Sequence, residues 1–284
     1  KLGYNLLIDD ETGIEHDLRK WEKKKRKNWK PKYELGIFKL KSNTVEDKYK
    51  LRYLKRKYLK FLDSFYLKKN FLIEKRNKNK KTIYSDKYLF QKYSETIYPE
   101  GYFESENYFK DYRSDLLNEF SFKESPNLKN NIFKKMIDNS SVVSIAFRSN
   151  RFSEFVTDDK NKSKLQKTAD FENQMIKYIY RGVEYFKSKI KDPKFLVWSD
   201  NFENLDQYFN PNIFTFVKNE IENKIFLDFY LMRQCKYFIV GPTSFHWWPA
   251  WLCNHEKKII VCPEDLELNI SSNINFWPEL WIKI

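Results

Sequence analysis

Apolar residues first recur at helical spacing between 45 and 66, where VEDKYKLRYLKRKYLKFLDSFY sets Leu51, Leu54, Tyr58, Leu59, Leu62, Phe65 and Tyr66 among lysines and arginines. That period predicts a basic amphipathic helix. Before it, GYNLLIDD at 3–10 predicts a strand ending in acidic residues. After it, FLIE, TIYS and ETIYP within 71–98 predict short strands parted by a Lys/Asn-rich loop. A second helix is expected over about 105–120, in SENYFKDYRSDLLNEF, before Pro126 and its polar neighbours break the pattern. A domain boundary is expected at about 125–140, because the text changes character there.

Past that boundary VVSIAFR at 142–148 is largely apolar and reads as a strand of the buried type. A helix over about 170–190 carries Met175, Ile176, Ile179, Tyr180, Val183, Phe186 and Ile190 on one side. FLVWSD at 195–200 is the next strand, a helix spans about 222–234, and KYFIVGP and KKIIVCP supply two more strands. Strands alternating with helices predict an α/β fold with a parallel, doubly wound sheet, whose ligands bind beyond the carboxyl ends of the strands.

One such end reads GPTSFHWWPAWL, residues 241–252. Gly241 and Pro242 turn the chain, and Thr243 and Ser244 place hydroxyls before a helix whose first N–H groups have no internal acceptor, which makes a candidate anion site. Pro249 is tolerated only near a helix start, so the helix is expected to begin no earlier than about Phe245, with Trp247, Trp248 and Trp251 as core anchors. An ordinary capped helix under a sheet accounts for the same residues, and spacing alone leaves both readings open.

Composition narrows the classes. With 41% apolar and 18% aromatic residues in 284, the chain is folded despite 32% charge, and its length suits two domains or one large α/β unit. Lys and Arg number 53 against 39 Asp and Glu, a net +14, with KKKRK at 23–27, KRK at 55–57 and KRNKNKK at 75–81 in the first third. Each run is what a solvated face looks like; a contact with anionic membrane is the alternative. Nucleic acid ranks last, since the aromatics follow core periodicities and no such binding motif occurs. Cys235, Cys253 and Cys262 lack metal-ligand spacing and read as buried thiols of a reducing compartment. No apolar stretch approaches the roughly twenty residues of a span, and no signal peptide is visible. The expected location is cytoplasmic, soluble or peripheral at the inner face of the membrane. The chain opens on KLGYNLLIDD without methionine, so a preceding segment is left open.

With these residues in view the sequence resembles glycosyltransferase family 11, the α-1,2-fucosyltransferases. LMRQCKYFIVGPTSFHWWPAWLC at 231–253 is similar to the family's LMS-C-K-H-F-I-I-S-N-S-T-F-S-W-W-A-A-W-L, GYFESENYFKDYRSDLLNEFSFK at 101–123 resembles its GYFQS-x-KYF block, and FLVWSDN at 195–201 resembles its F-x-x-F-S-D-D strand end. The resemblance implies the GT-B architecture, two Rossmann-like domains facing across a cleft. We place an N-terminal, acceptor-side α/β domain without its first strand at 1–135 and a C-terminal GDP-sugar-binding domain at 136–284. It also implies inversion at the anomeric centre, no metal and no cofactor.

Carried over position by position, Arg148 matches the first arginine of the family's H-x-R-R-G-D motif, which implies a diphosphate contact; a guanidinium at a strand end suits that role. Asp200 matches the carboxylate that binds guanosine in related transferases, and Thr243, Ser244 and Phe245 match the S-T-F stretch near the phosphates. The rest of the motif departs: AFRSNRF at 146–152 has Ala146 for the histidine, Ser149 for the second arginine, Asn150 for the glycine and Arg151 for the aspartate. The general base is therefore open. Of three histidines, His16 and His255 lie away from the motifs, while His246 follows the phosphate-facing turn. His246 is expected to face the cleft, assisting deprotonation or binding the diphosphate, or else to be a helix-start histidine bonded to its own turn; Glu154 and Asp158 are the other candidate bases.

The expected function is transfer of L-fucose from GDP-fucose to a hydroxyl of a surface glycan or lipid-linked oligosaccharide, in α-1,2 linkage. Another GDP-sugar, such as a deoxy-heptose or other deoxyhexose, and a catalytically silent glycan-binding protein are the alternatives.

Overall fold

A computed structural model describes residues 4–10, 33–77, 81–89, 91–149, 151–152, 162–218, 224–264 and 273–284. The chain divides into two compact units, Lys1–Glu124 with Ser272–Phe276, and Ser125–Ser271 with Trp277–Ile284.

The first unit holds β1 (Leu7–Ile8) paired in parallel with β2 (Asn43–Thr44). The helix expected over 45–66 is two helices, α1 (Asp47–Leu54) and α2 (Arg56–Asp63), because Lys55 between them has ψ 15 and leaves helical geometry. β3 (Lys69–Ile73) and β4 (Tyr93–Glu100) form a second parallel pair with a register shift between Lys69 and Phe71. The Asp63 carboxylate accepts N–H groups of Asn70 and Phe71 at 2.8 and 3.0 Å, which fixes the end of α2 to the start of β3. The segment expected as one helix over 105–120 instead runs through two single 3-10 turns into α3 (Arg113–Glu119).

In the same unit the buried Glu74 carboxylate accepts the N–H groups of Tyr102 and Phe103 at 2.9 and 3.1 Å and the Asn273 side-chain amide at 3.1 Å. A Cβ at Gly101 would fall 2.4 Å from Glu74 Cβ, so only glycine fits where the GYF turn crosses this carboxylate.

The second unit starts with α4 (Ile132–Asn139), capped by the Asn131 side chain, which accepts the Lys134 N–H. It continues through β5 (Val142–Phe147), α5 (Lys162–Lys189), β6 (Lys194–Ser199), β7 (Phe214–Phe216), α6 (Lys224–Gln234), β8 (Tyr237–Ile239), α7 (Ser244–Leu252), β9 (Ile259–Cys262) and β10 (Ile282–Lys283). The six strands make one sheet in the order β10-β9-β8-β5-β6-β7, every pair parallel. Numbered along the chain, that is the 3-2-1-4-5-6 order of a Rossmann sheet.

Alternation along β5 sends Val143, Ile145 and Phe147 to one face, where they meet Phe171, Met175, Ile179, Val183 and Phe186 of α5 in the main core. Those helical residues recur every three or four positions, and burial of each contributes about 1.5–3 kcal/mol. A Cβ at Gly182 would stand 2.8 Å from Ile239 Cδ1, so glycine lets α5 approach β8. Tyr178 closes this face: its hydroxyl lies 3.0 Å from the carbonyl oxygens of both Val240 and Val261, joining the ends of β8 and β9, and burial holds its pKa well above the usual value, so it stays a donor.

The other face of the sheet is covered by α6 and α7. Trp247 and Trp251 stack nearly parallel, 6.1 Å apart, and Trp247 meets Trp281 at 5.4 Å. Trp247 and Trp251 are buried and Trp248 is half-buried, as expected of core anchors. The helix starts at Ser244, one residue before the expected limit. Pro249 is its sixth residue, and the bond it omits is the one to the Phe245 carbonyl.

Candidate functional site

In the 3-2-1-4-5-6 order, successive connections leave the first and fourth strands in opposite directions, and a crevice opens at their carboxyl ends. Here those strands are β5 and β8. Arg148 and Ser149 follow β5, and Gly241 to Ser244 lead out of β8 into α7. The topology therefore brings Arg148, Thr243, Ser244 and Phe245 to one switch point from positions nearly a hundred residues apart.

Gly241 lets the β8 exit pass close to β5: a Cβ there would lie 3.4 Å from the Ala146 carbonyl and 2.8 Å from Met175 Cε. The Thr243 N–H then donates to the Gly241 carbonyl at 2.8 Å, which tightens the turn. Thr243 is the N-cap of α7; its hydroxyl accepts the His246 N–H at 3.4 Å, and its carbonyl accepts the Trp247 N–H at 3.0 Å. Helical geometry leaves the Ser244 and Phe245 N–H groups without intrahelical acceptors, and both residues are exposed. A helix start with free N–H groups attracts an anion, and Arg148, just past the end of β5, adds a full positive charge. The Phe245 ring packs edge-on against Phe229, centroids 6.0 Å apart.

Asp200 joins this group because β6 pairs with β5 in register: Ala146 faces Trp198 and Phe147 faces Ser199, so Arg148 and Asp200 emerge side by side. Arg148 Nε stands 3.8 Å from Asp200 Oδ2, with both side chains about 40% exposed (39% and 43%). At that exposure the pair contributes little stability, and its effect is to orient the two groups. Asp200 Oδ1 accepts the Ser149 N–H at 3.1 Å, the Ser149 hydroxyl at 3.3 Å and the Asn201 N–H at 3.1 Å. Ser149, which stands at the motif's second arginine, thus holds the carboxylate in place. Set beside the family motif, the same residue is simply a departure.

His246 is not where a solvent-facing base would be. It is 0% exposed, packed beneath the sheet, with Nε2 2.9 Å from the Ser144 hydroxyl and its ring 6.1 Å from that of Phe238. Desolvation pushes its pKa down to about 3, so the imidazole is neutral across the physiological range. Nδ1 has no hydrogen-bond partner among the described residues. The helix turn carries the side chain inward while its backbone N–H serves the Thr243 cap, so the expectation that His246 faces the cleft gives way to an internal brace between β5 and α7. A sign of this was present in VVSIAF, where Ser144 is the lone hydroxyl in a strand buried on both faces and needs an internal partner.

Glu154, Asp158 and His16 lie outside the described residues, as do the run KKKRK and part of KRNKNKK. His255 is exposed, 3.3 Å from the Gln234 carbonyl. The three cysteines are free and buried, and burial raises the pKa of Cys235 and Cys262. Among the described residues no group of three His, Cys, Asp or Glu could hold a metal ion, and no helix is long and apolar enough to cross a membrane.

Comparison with known proteins gives the family. An alpha-1,2-colitosyltransferase of Escherichia coli is 31% identical over 118 residues, 38% of this chain and 38% of that protein. The O-antigen biosynthesis glycosyltransferase WbnK of Escherichia coli is 30% identical over 88 residues, 30% of this chain and 29% of that protein. These matches span well under half the length of either relative. No solved structure matches significantly. The profile of glycosyl transferase family 11 extends over residues 47–282, taking in β3, β4 and nearly the whole Rossmann unit, and the chain belongs to that family.

Proposed function

We propose that this chain transfers a deoxyhexose, L-fucose in the first instance, from its GDP-sugar to a hydroxyl of a surface glycan or lipid-linked oligosaccharide, in α-1,2 linkage and with inversion. The observation that carries the reading is the convergence of Arg148 and the α7 start on the switch point of a Rossmann sheet. Family membership supplies the reaction class, and the α-1,2-colitosyl activity named for one relative supports the linkage and makes another GDP-deoxysugar the second donor to try. The GT-B arrangement of the whole molecule belongs to the same proposal, with the second unit as its nucleotide-binding half.

In this reading the acceptor oxygen attacks the anomeric carbon, the bond from that carbon to the β-phosphate oxygen breaks, and GDP leaves with the electron pair. Charge grows on the diphosphate, where Arg148 and the N–H groups of Ser244 and Phe245 stabilise it without a metal. Asp200, held by Ser149, takes the guanosine side. The acceptor proton goes to a carboxylate, Glu154 or Asp158, since His246 is buried and neutral. His246 braces the helix start that cradles the phosphates.

A panel of GDP-sugars incubated with candidate glycan acceptors, with products read by mass, tests the reading. Transfer from GDP-fucose or another GDP-deoxyhexose supports it. Binding of glycan with neither transfer nor donor hydrolysis would turn the reading to a silent glycan-binding protein.

A further inference from the structure

Leu51, Leu54, Tyr58, Phe61 and Phe65 follow one another at intervals of three and four residues along α1, α2 and the turn after them, and each is between 45% and 70% exposed. A spacing of three keeps Leu51 and Leu54 on one side of α1, and the 3-4 spacing of Tyr58, Phe61 and Phe65 keeps them on one side of α2 and its following turn, where the Phe61 and Phe65 rings lie 5.0 Å apart. The opposite side is the one held by the protein: Leu59 and Leu62 are half-buried, Lys60 lies over the Phe71 ring, and Asp63 is bonded to the start of β3. Just past the stripe, Tyr66 and Leu67 are 60% and 86% exposed. An exposed apolar ridge of this kind is rare on a protein surface and marks a contact.

Charge selects the partner. Residues 47–68 hold eight Lys and Arg against two Asp. Lys55, Lys57 and Lys68 flank the ridge and are exposed. Two copies of this ridge pressed together would set basic flank against basic flank, where paired helices need opposite charges at those places. An anionic bilayer meets both features at once: its acyl boundary takes the apolar ridge, its headgroups take the lysines, and tyrosine and phenylalanine suit the interface between them.

We propose that α1 and α2 form a membrane-surface anchor, lying in the plane of an anionic lipid bilayer with Leu51, Leu54, Tyr58, Phe61 and Phe65 inserted and Lys55, Lys57 and Lys68 on the headgroups. The surface belongs to the first unit and the proposed donor site to the second, and the proposal does not depend on which sugar is moved. It gives a chain without a spanning helix among its described residues a way to work beside a lipid-linked acceptor.

The test is sedimentation of the full chain with vesicles of phosphatidylcholine, alone or with phosphatidylglycerol. The chain should bind the anionic vesicles and leave the neutral ones largely free. Phe61→Ser/Phe65→Ser and Lys55→Glu/Lys57→Glu should each weaken that binding at least tenfold, with GDP affinity unchanged as the sign that the fold is intact. Hydrogen exchange of the wild-type chain gives a second reading that needs no variant: amides from 51 to 66 should gain protection on anionic vesicles. Binding that survives both double variants, unchanged exchange over 51–66, or loss of a dimer or of RNA binding instead of lipid binding would overturn the proposal.

Discussion

Ser144 and His246, 102 positions apart in the chain, meet inside the Rossmann unit with hydroxyl and imidazole 2.9 Å apart. The contact ties the middle of β5 to the first turn of α7, the two elements whose ends carry Arg148 and the free N–H groups of Ser244 and Phe245. A neutral, buried histidine is therefore part of what holds the candidate anion site in shape.

The same contact makes stability depend on pH. The unfolded chain takes up a proton at this position near pH 6.5, while the folded chain refuses it until about pH 3. Protons thus favour unfolding inside that window: stability is complete above about 6.5 and falls as pH drops, by about 1.4 kcal/mol per pH unit. Urea unfolding at pH 7 and pH 5.5 should show a larger loss for wild type than for His246→Gln. Parallel losses would mean that His246 is hydrated and not buried as described.

Gly101 predicts a sharp steric limit in the other unit. With a Cβ placed 2.4 Å from Glu74 Cβ and 2.8 Å from Oε2, Gly101→Ala must displace the carboxylate that holds the Tyr102 and Phe103 N–H groups. A loss of about 1–3 kcal/mol follows from overpacking and the unpaired groups together. Denaturant midpoints of Gly101→Ala and Glu74→Ala check it, and a double variant should lose less than the sum because both act on one contact. Unchanged midpoints would show that the turn is held by other means.

Asp200 is held by Ser149, Asn201 and Arg148. Asp200→Ala removes the carboxylate proposed for the guanosine side and releases Arg148 from its orientation, and should weaken GDP binding about tenfold, or about 1.4 kcal/mol. Ser149→Ala, which leaves the Ser149 N–H bond in place, should cost less. Equal GDP affinity in wild type and Asp200→Ala, measured by calorimetry, would remove Asp200 from the site.

Metal chelation should leave turnover intact. In the proposed site Arg148 and the α7 start supply the positive charge that a nucleotide-bound cation would otherwise bring. Rates measured with and without EDTA decide it, and a strict need for Mg²⁺ or Mn²⁺ would call for another account of the leaving group.

The sequence revealed the interior of the Rossmann sheet better than its margins. β5, β6, β8 and β9 are apolar runs buried on both faces, and such runs stand out in a polar chain. The edge strands β7 and β10 are three and two residues long, too short for a pattern to form. α5 begins at Lys162, about eight residues before the expected start, because Lys162 to Lys167 are exposed and the segment before Phe171 carries no apolar period. Strand order arises from tertiary pairing, so the convergence of Arg148, Asp200 and Thr243 on one crevice needed the fold. The inward turn of His246 was hidden for a related reason: one helix position after a cap points to solvent or to the core depending on what the sheet above it offers, here Ser144.

The central claim, that the β5–β8 switch point is a GDP-sugar site, is tested most directly by calorimetric titration of GDP and UDP into wild type and Arg148→Ala. The account predicts that GDP binds wild type well ahead of UDP, and that Arg148→Ala, still folded, loses about 2 kcal/mol or more of GDP affinity through one missing charged contact. Equal binding of GDP and UDP, or GDP affinity unchanged in a folded Arg148→Ala, would contradict it.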